Sequence, residues 1–561
     1  MNRNLFRTVV LGAAALVMGG CQDTLVVQNP NSGETDRVLS TPNDAEALLG
    51  SYYRRWSSGV YGRANLEGMA NIYALMNYSS LANDGQNSHA PFSGSTNYNS
   101  PGNTVQGEQF RLFSILSEVN RVASSFNGRL DAGLNLGSPA RNARARSFAD
   151  FLNGISLGYI ALMHDSGAVV SSSTGGLDAG TLVSYTVVMD SALAALQRSI
   201  DVASATAVGD NGFPLPPNWI SSPTTFSQVE FVRLVKTYRA RLRANVARTP
   251  AERAAVNWAA VITDALEGIT ATHQITTSTT TGPGNSWRSQ YGTFGLWHQV
   301  PAFFIGMADV SGSYAAWIGT PLGDRGAGNV GFFMSTPDLR FPQGATRAAQ
   351  QADFLISTCA GASQVCRRYF VNRNGNDQYA GLGWGWSNYD HARFHSWRTA
   401  GAGTQQNGPT PFFVVEELNL LRAEGLYRTG QFAAAGAIVN ATRVLNGLPA
   451  ITAFDATSPV PGGGNCVPKV PSAAAPTAVS CGNLWEALKY EKRIETAYTS
   501  YAPWYLDGRG WGDLPATTPL YWAVPFQELL ARSRPISAIY GAGIGSGNAP
   551  NSSAGPSGYG W

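Results

Sequence analysis

The chain has 561 residues, 44% of them hydrophobic and only 13% charged, with 62 glycines and a formal net charge of +3. A chain of that length can bury a sizeable core, and helical repeats could keep it one unit because they grow by stacking. The near-neutral balance gives no basis for a polyanionic partner such as nucleic acid, and few charges among many small polar residues suit a secreted protein better than a cytosolic enzyme.

At the start, Arg3 and Arg7 precede an apolar stretch, Thr8 to Gly20, too short for a stable membrane helix. Residues 1–20 therefore read as a signal peptide, whose loss lowers the formal net charge from +3 to +1. Met18-Gly19-Gly20-Cys21 resembles a bacterial lipobox: small residues fit the signal peptidase, and the Cys21 thiol is the nucleophile there that can accept diacylglycerol. Residues 21–40 then form a flexible lipidated tether, polar from Gln28 to Asp36. Several acyl chains anchor stably where one would be marginal. Gln22 follows the cysteine where an inner-membrane retention signal would have aspartate, so the expected location is the outer membrane, facing the cell exterior.

Residues 41–561 read as a single domain of amphipathic stretches alternating with long polar ones. Helical spacing predicts helices over Pro42 to Ser57, Leu66 to Leu81, Thr104 to Phe126, Pro139 to Met163, Leu182 to Val202, Phe226 to Ala247, Pro250 to Ala271, Phe412 to Tyr427, Gln431 to Leu445 and Leu484 to Tyr498. The first is well capped, with Ser40, Thr41 and Pro42 ahead of Asp44 and Glu46 at its positive end. Pairing neighbours gives three helical hairpins, 139–163 with 182–202, 226–247 with 250–271 and 412–427 with 431–445; Leu484 begins a fourth. Gly430, Phe432 and Ala435 have the Gly-x-Phe-x-x-Ala spacing of a tetratricopeptide joint, where a small turn residue lets an aromatic and an alanine wedge two helices together.

Two segments break this pattern and read as loop excursions on the scaffold, 272–411 and 448–483. They hold Cys359, Cys366, Cys466 and Cys481, which outside the cytoplasm suggest two local disulfides, 359 with 366 and 466 with 481; short loops close most readily. The first excursion is dense in aromatics, among them Trp287, Trp297, Trp317, Trp384, Trp386 and Trp397. A sugar site wants a flat ring under the apolar C–H face and polar side chains around the hydroxyl rim. Trp384, Trp386 and Tyr389, among small and polar neighbours, supply that combination, as do Trp287 and Tyr291 beside Arg288 and Gln290. Rings in glycine-rich loops also serve as plugs against a core. Asn372, Asn374, Asn376 and Asp377 offer oxygens that could ligate calcium, but the closing bidentate glutamate of an EF-hand is missing and a turn is the simpler reading. No cofactor is expected.

The C-terminal third carries a family resemblance. LLRAEGLYRTGQF, then NATRVLNGLPA, the charged helix ALKYEKRIETAYTS, PWYLDGRGWGDL and YWAVPFQEL follow in an order that resembles the C-terminal half of the SusD/RagB family of nutrient-binding outer-membrane lipoproteins. The resemblance implies a mostly α fold with tetratricopeptide-like hairpins in an α-α superhelix, long irregular loop excursions and little β structure. It implies capture of an oligosaccharide and its delivery to a SusC-like TonB-dependent transporter, with peptide capture as the variant within the family. It also places Asn83, Asp84 and His89, in LANDGQNSH, where such proteins carry an acidic motif leading into a binding loop; an Asx turn ending a helix explains the same residues.

Catalytic templates are weak. Glu491 and Glu495 lie four apart on one helix, the spacing of a carboxylate pair, but Lys489, Lys492 and Arg493 crowd that helix and Arg509 follows, which favours a structural salt-bridged network. His391 and His395 lack the glutamate of a His-Glu-x-x-His zinc site. Gly154-Ile155-Ser156-Leu157-Gly158 matches a nucleophile elbow but falls inside a predicted helix. The expectation is a non-enzymatic binding protein. A secreted glycoside hydrolase and a tetratricopeptide-like protein-recruiting scaffold are the alternatives outside that class.

Overall fold

The computed structural model describes residues 41–60, 66–76, 106–170, 180–205, 212–277, 300–320, 332–353, 359–360, 365–366, 368–372, 387, 389–393, 408–472, 474–475, 477–499, 503–515 and 518–534. By compactness the chain divides after Leu48. In the first unit, Met1–Leu48, the described residues open helix α1 (Pro42–Val60), where Thr41 Oγ1 accepts from the Asp44 amide at 3.2 Å and donates to its carboxylate at 2.6 Å. That reciprocal cap is why the helix begins at Pro42.

The second unit, Leu49–Trp561, is built from helices packed in chain order. They are α2 (Leu66–Tyr73), α3 (Gln106–Asp131), α4 (Pro139–Met163), α5 (Tyr185–Ala205), α6 (Gln228–Asn245), α7 (Pro250–Ala254) and α8 (Trp258–Leu266). Helix α3 packs on α4, α4 on α5, α5 on α6 and α6 on α8. Ser138 caps α4 by accepting from the Arg141 amide, and Ser227 with Glu230 forms a reciprocal capping box on α6. In α4, the space beside Gly154 is taken by Leu196 of α5 and that beside Gly158 by Leu242 of α6, so these glycines let three helices approach closely. The elbow-like Gly-x-Ser-x-Gly is a packing seam.

Several predicted helices are shorter than their sequence pattern. Leu182–Ser184 is instead strand β2, paired antiparallel with β1 (Ser166–Ala168). The stretch Pro250 to Ala271 breaks at Ala255–Asn257, because Asn257 turns its side chain to accept from the Ala260 amide and caps α8 afresh.

Beyond α8 the chain forms β3 (His273–Thr277), the short helices α9 (Ala302–Ile305), α10 (Ser313–Gly319) and α11 (Arg347–Asp353), and strands β4 (Cys359–Ala360), β5 (Val365–Cys366), β6 (Phe370–Asn372), β7 (Tyr389–His391) and β8 (Gly408–Phe413). Helices α12 (Val415–Arg428) and α13 (Phe432–Leu445) follow, then β9 (Lys469–Pro471), β10 (Val479–Cys481), α14 (Leu484–Glu495), α15 (Pro503–Trp511) and α16 (Phe526–Ala531). The chain turns between α12 and α13 at Gly430, whose φ of 77° suits a residue without a Cβ. Phe432 then meets Tyr427 edge-on at 4.9 Å, and Ala435 is buried. Val439 packs with Leu420 of α12 and Leu484 and Leu488 of α14; Leu418 and Leu421 pack on Trp258 and Val261 of α8.

Buried ion pairs join the two halves. Arg241 of α6 makes a bidentate pair with Glu417 of α12 at 2.9 and 2.7 Å. Arg253 of α7 does the same with Glu424 of α12 at 2.9 and 2.6 Å and reaches Asp507 of α15 at 2.9 Å. Arg509 donates to the Leu162 and Asn245 carbonyls, near the C-terminal ends of α4 and α6, where unpaired carbonyls and the helix dipole favour a cation. The described residues thus form a mostly α fold of tetratricopeptide-like hairpins whose only sheets are two-stranded. Among them, no helix is long and apolar enough to cross a membrane.

Candidate functional site

The first excursion has a definite root. Strand β3 pairs antiparallel with β8, from His273 opposite Phe413 to Thr277 opposite Gly408, with an irregularity after His273. Segment 278–407 is therefore bracketed by one two-stranded stem. His273 anchors the base: it is buried, edge-on to Phe226 at 5.4 Å, and burial, with the Arg241 guanidinium adding to it, lowers its pKa to about 3.

The excursion is docked on α14 through charge. Arg340 is fully buried; it pairs with Asp338 at 2.7 Å, and its Nη1 reaches Glu491 and Glu495, each at 2.9 Å. Tyr490 donates to Asp338 at 2.6 Å and Tyr369 to Glu495 at 3.0 Å. Arg393 donates to the Glu495 carbonyl at 2.6 Å, Arg493 donates to the Phe303 carbonyl at 3.0 Å, and His391 stacks on Tyr498 at 4.4 Å. Both glutamates hold protein groups in a buried site, so their spacing makes a clamp and not an acid–base pair; burial pushes the Glu491 carboxyl up, against Arg340 and Arg443. The principal partner differs from the sequence expectation. Lys489 pairs with Asp513 and Lys492 with Asp507, each at 2.8 Å, leaving the glutamates to Arg340 from the excursion.

Several excursion aromatics form its own core. Trp317 is buried edge-on to Phe303 at 5.0 Å and lies against Tyr314 and Phe332. Tyr389, expected from sequence at the ligand face, belongs to this core. It is fully buried, its hydroxyl donates to Gln350 Oε1 at 2.7 Å and accepts from the Met334 amide at 3.1 Å, and burial pushes its pKa up to about 12. A ring so enclosed, on the paired strand β7, has no free face to offer a sugar. Asn372, opposite Tyr389 in the β6–β7 ladder, donates to the same Gln350 oxygen at 2.9 Å.

That ladder brings together the two ends of segment 373–388, which contains Trp384 and Trp386. Trp384 and Trp386 themselves, with Asn83, Asp84, His89, Trp287 and Tyr291, lie outside the described residues, as do Cys21, His395, Asn374, Asn376 and Asp377. Cys359 and Cys366 are directly opposed in the β4–β5 ladder. In the second excursion Cys466 and Cys481 are joined by a disulfide, with Cα atoms 5.7 Å apart. Gln350, which ties α11 to both strands of the β6–β7 ladder, had no local signal in the sequence; neither did Arg340.

The arrangement resembles known structures in fold. A SusD superfamily protein from Bacteroides thetaiotaomicron superposes with a TM-score of 0.52 at 14% identity, covering 88% of this chain and 97% of that one. A SusD superfamily protein from Bacteroides vulgatus gives 0.51 at 13% identity over 88% and 90%. A SusD homolog from B. thetaiotaomicron gives 0.51 at 14% identity over 91% of each chain. No family model matches the chain, and no curated protein matches it.

Proposed function

We propose that this chain, which has the fold of SusD superfamily proteins, is a cell-surface nutrient-binding lipoprotein that captures an oligosaccharide and passes it to a SusC-like TonB-dependent transporter. The observation that carries the reading is the aromatic excursion rooted in a single β3–β8 stem and clamped to α14 by buried charge. Such a mounting suits ligand capture: loops supply specificity, and a rigid helical scaffold positions them. Trp384, Trp386, Trp287 and Tyr291 are the proposed stacking rings, with Asn83, Asp84 and His89 contributing polar contacts. Cys21 carries the lipid that holds the protein at the outer membrane. The proposed role is capture without turnover; the Glu491–Glu495 pair, an acid–base candidate by its spacing, is committed to Arg340, which supports it.

The test is a binding screen of the purified chain against diverse oligosaccharides and peptides, with product analysis of each mixture. Saturable oligosaccharide binding without products supports the reading. Peptide binding alone moves the chain to peptide capture, and hydrolysis products overturn it.

A further inference from the structure

We propose a second ligand site, away from the excursion, in the cleft between α3, α4 and α5, that takes a small neutral polyol of monosaccharide or disaccharide size. The cleft holds about 560 Å³, within the ~300–1,000 Å³ range of small-molecule pockets. Each helix turns polar side chains into it: Asn120, Ser124 and Asn127 from α3, Asp150 and Asn153 from α4, and Arg198 and Asp201 from α5. The polar side chains stand beside an apolar wall, so the seam is open and of mixed character.

Its hydrogen bonding is incomplete in one direction. Asn127 Nδ2 donates to Asp150 Oδ1 at 3.1 Å, and because a carboxylate only accepts, this fixes the amide and leaves Asn127 Oδ1 turned elsewhere. Neither Asn127 Oδ1 nor Asn120 Oδ1 has a hydrogen-bond partner among the described residues, and both are buried. Ser124 Oγ has one proton to share between Asn153 Oδ1 at 3.2 Å and the Val170 carbonyl at 3.1 Å. Arg146 and Arg198 stand among the lining, but the buried floor of the site, at Asn120 and Asn127, is short of donors. A ligand rich in hydroxyls supplies them, whereas an anion would add acceptors to a region already rich in them.

The remaining lining supports the same chemistry. Leu157, Val169, Val170 and Ala195 give an apolar wall for C–H groups. The lining carboxylates Asp150 and Asp201 are balanced by the guanidiniums of Arg146 and Arg198, so a neutral ligand meets no net charge. This site does not depend on the aromatic excursion or on the reading built upon it.

The experiment is calorimetric titration of the full chain with D-glucose, D-galactose, maltose and myo-inositol. At least one should bind saturably. Ala194→Trp, at an exposed position on the cleft wall, should weaken that binding at least tenfold with an unchanged far-UV spectrum; Asn120→Leu should do so by removing an acceptor. No saturable binding of any probe overturns the proposal. So does binding that survives Ala194→Trp undiminished, which would place the sugar elsewhere on the chain.

Discussion

Replacing Arg340 by methionine tests whether the α14 glutamates are structural. Three carboxylates, Asp338, Glu491 and Glu495, share this buried cluster with three guanidiniums, Arg340, Arg393 and Arg443. Arg340 contacts all three carboxylates directly, while Arg393 and Arg443 stand 3.6 Å from their glutamates. Without Arg340, three buried carboxylates face two cations, and Asp338 keeps the Tyr490 hydroxyl as its remaining side-chain partner in the cluster. Leaving one charge of a buried pair uncompensated costs about 3–5 kcal/mol. Urea unfolding of Arg340→Met should show that loss, and adding Glu491→Gln, which restores two carboxylates to two cations, should recover roughly half of it by the coupling expected of groups in contact. Arg340→Met within about 0.5 kcal/mol of wild type, the range of an inert surface change, would refute the clamp.

Other predictions concern protons, the disulfide and the anchor. His164 and His273 are buried, and each has a pKa lowered to about 3, by burial first. At His164 burial outweighs the hydrogen bond to the Ala523 carbonyl, which favours the protonated ring, and Arg248 adds to the burial; at His273 the Arg241 guanidinium adds to it. The folded pKa lies below the unfolded value near 6.5, so this stability is complete above about pH 6.5 and falls as pH drops toward 3. Each histidine should cost about 2 kcal/mol between pH 7 and pH 5. His273→Leu should remove one such dependence, seen as a flatter curve of urea midpoint against pH; an unchanged curve would contradict its burial as a neutral ring. Paired Cys466→Ser and Cys481→Ser, freeing a loop of separation 15, should lower stability by about 3 kcal/mol, checked by the same unfolding assay. Cys21→Ala should shift the protein from the membrane fraction to the soluble one; detergent-dependent retention would count against the lipid anchor.

The scaffold was legible because its signals are local. Pro139–Met163 begins and ends where the pattern puts it, with Ser138 capping and Pro139 in the first turn, and the Gly430-x-Phe432-x-x-Ala435 joint closes as its spacing implies. Errors arise where distant pairing decides. Phe412 and Phe413 fit a helix pattern, yet β3, far earlier in sequence, claims them as strand. Leu182–Ser184 goes to β1 for the same reason. Glu491 and Glu495 look locally destined for the lysines and arginine of their own helix, but those side chains point to Asp513, Asp507 and the Phe303 carbonyl. Tyr389 was indistinguishable from its tryptophan neighbours by composition; the strand that buries it depends on Gln350 and Met334. The residues of the seam between α3, α4 and α5, Asn120, Ser124, Asn127, Asp150 and Asn153, carry no signal that sets them apart in the sequence; only the packing of the three helices makes them one cleft.

The central claim, capture of an oligosaccharide without turnover by rings of the excursion, is tested most directly by titrating the full chain and its Trp384→Ala, Trp386→Ala variant with the best-binding oligosaccharide while assaying the mixture for products. The account predicts binding by the native chain, no products, and an affinity in the variant lower by about 1–3 kcal/mol per lost ring with the fold intact. Equal affinity in both proteins, or cleavage of the ligand, would contradict it.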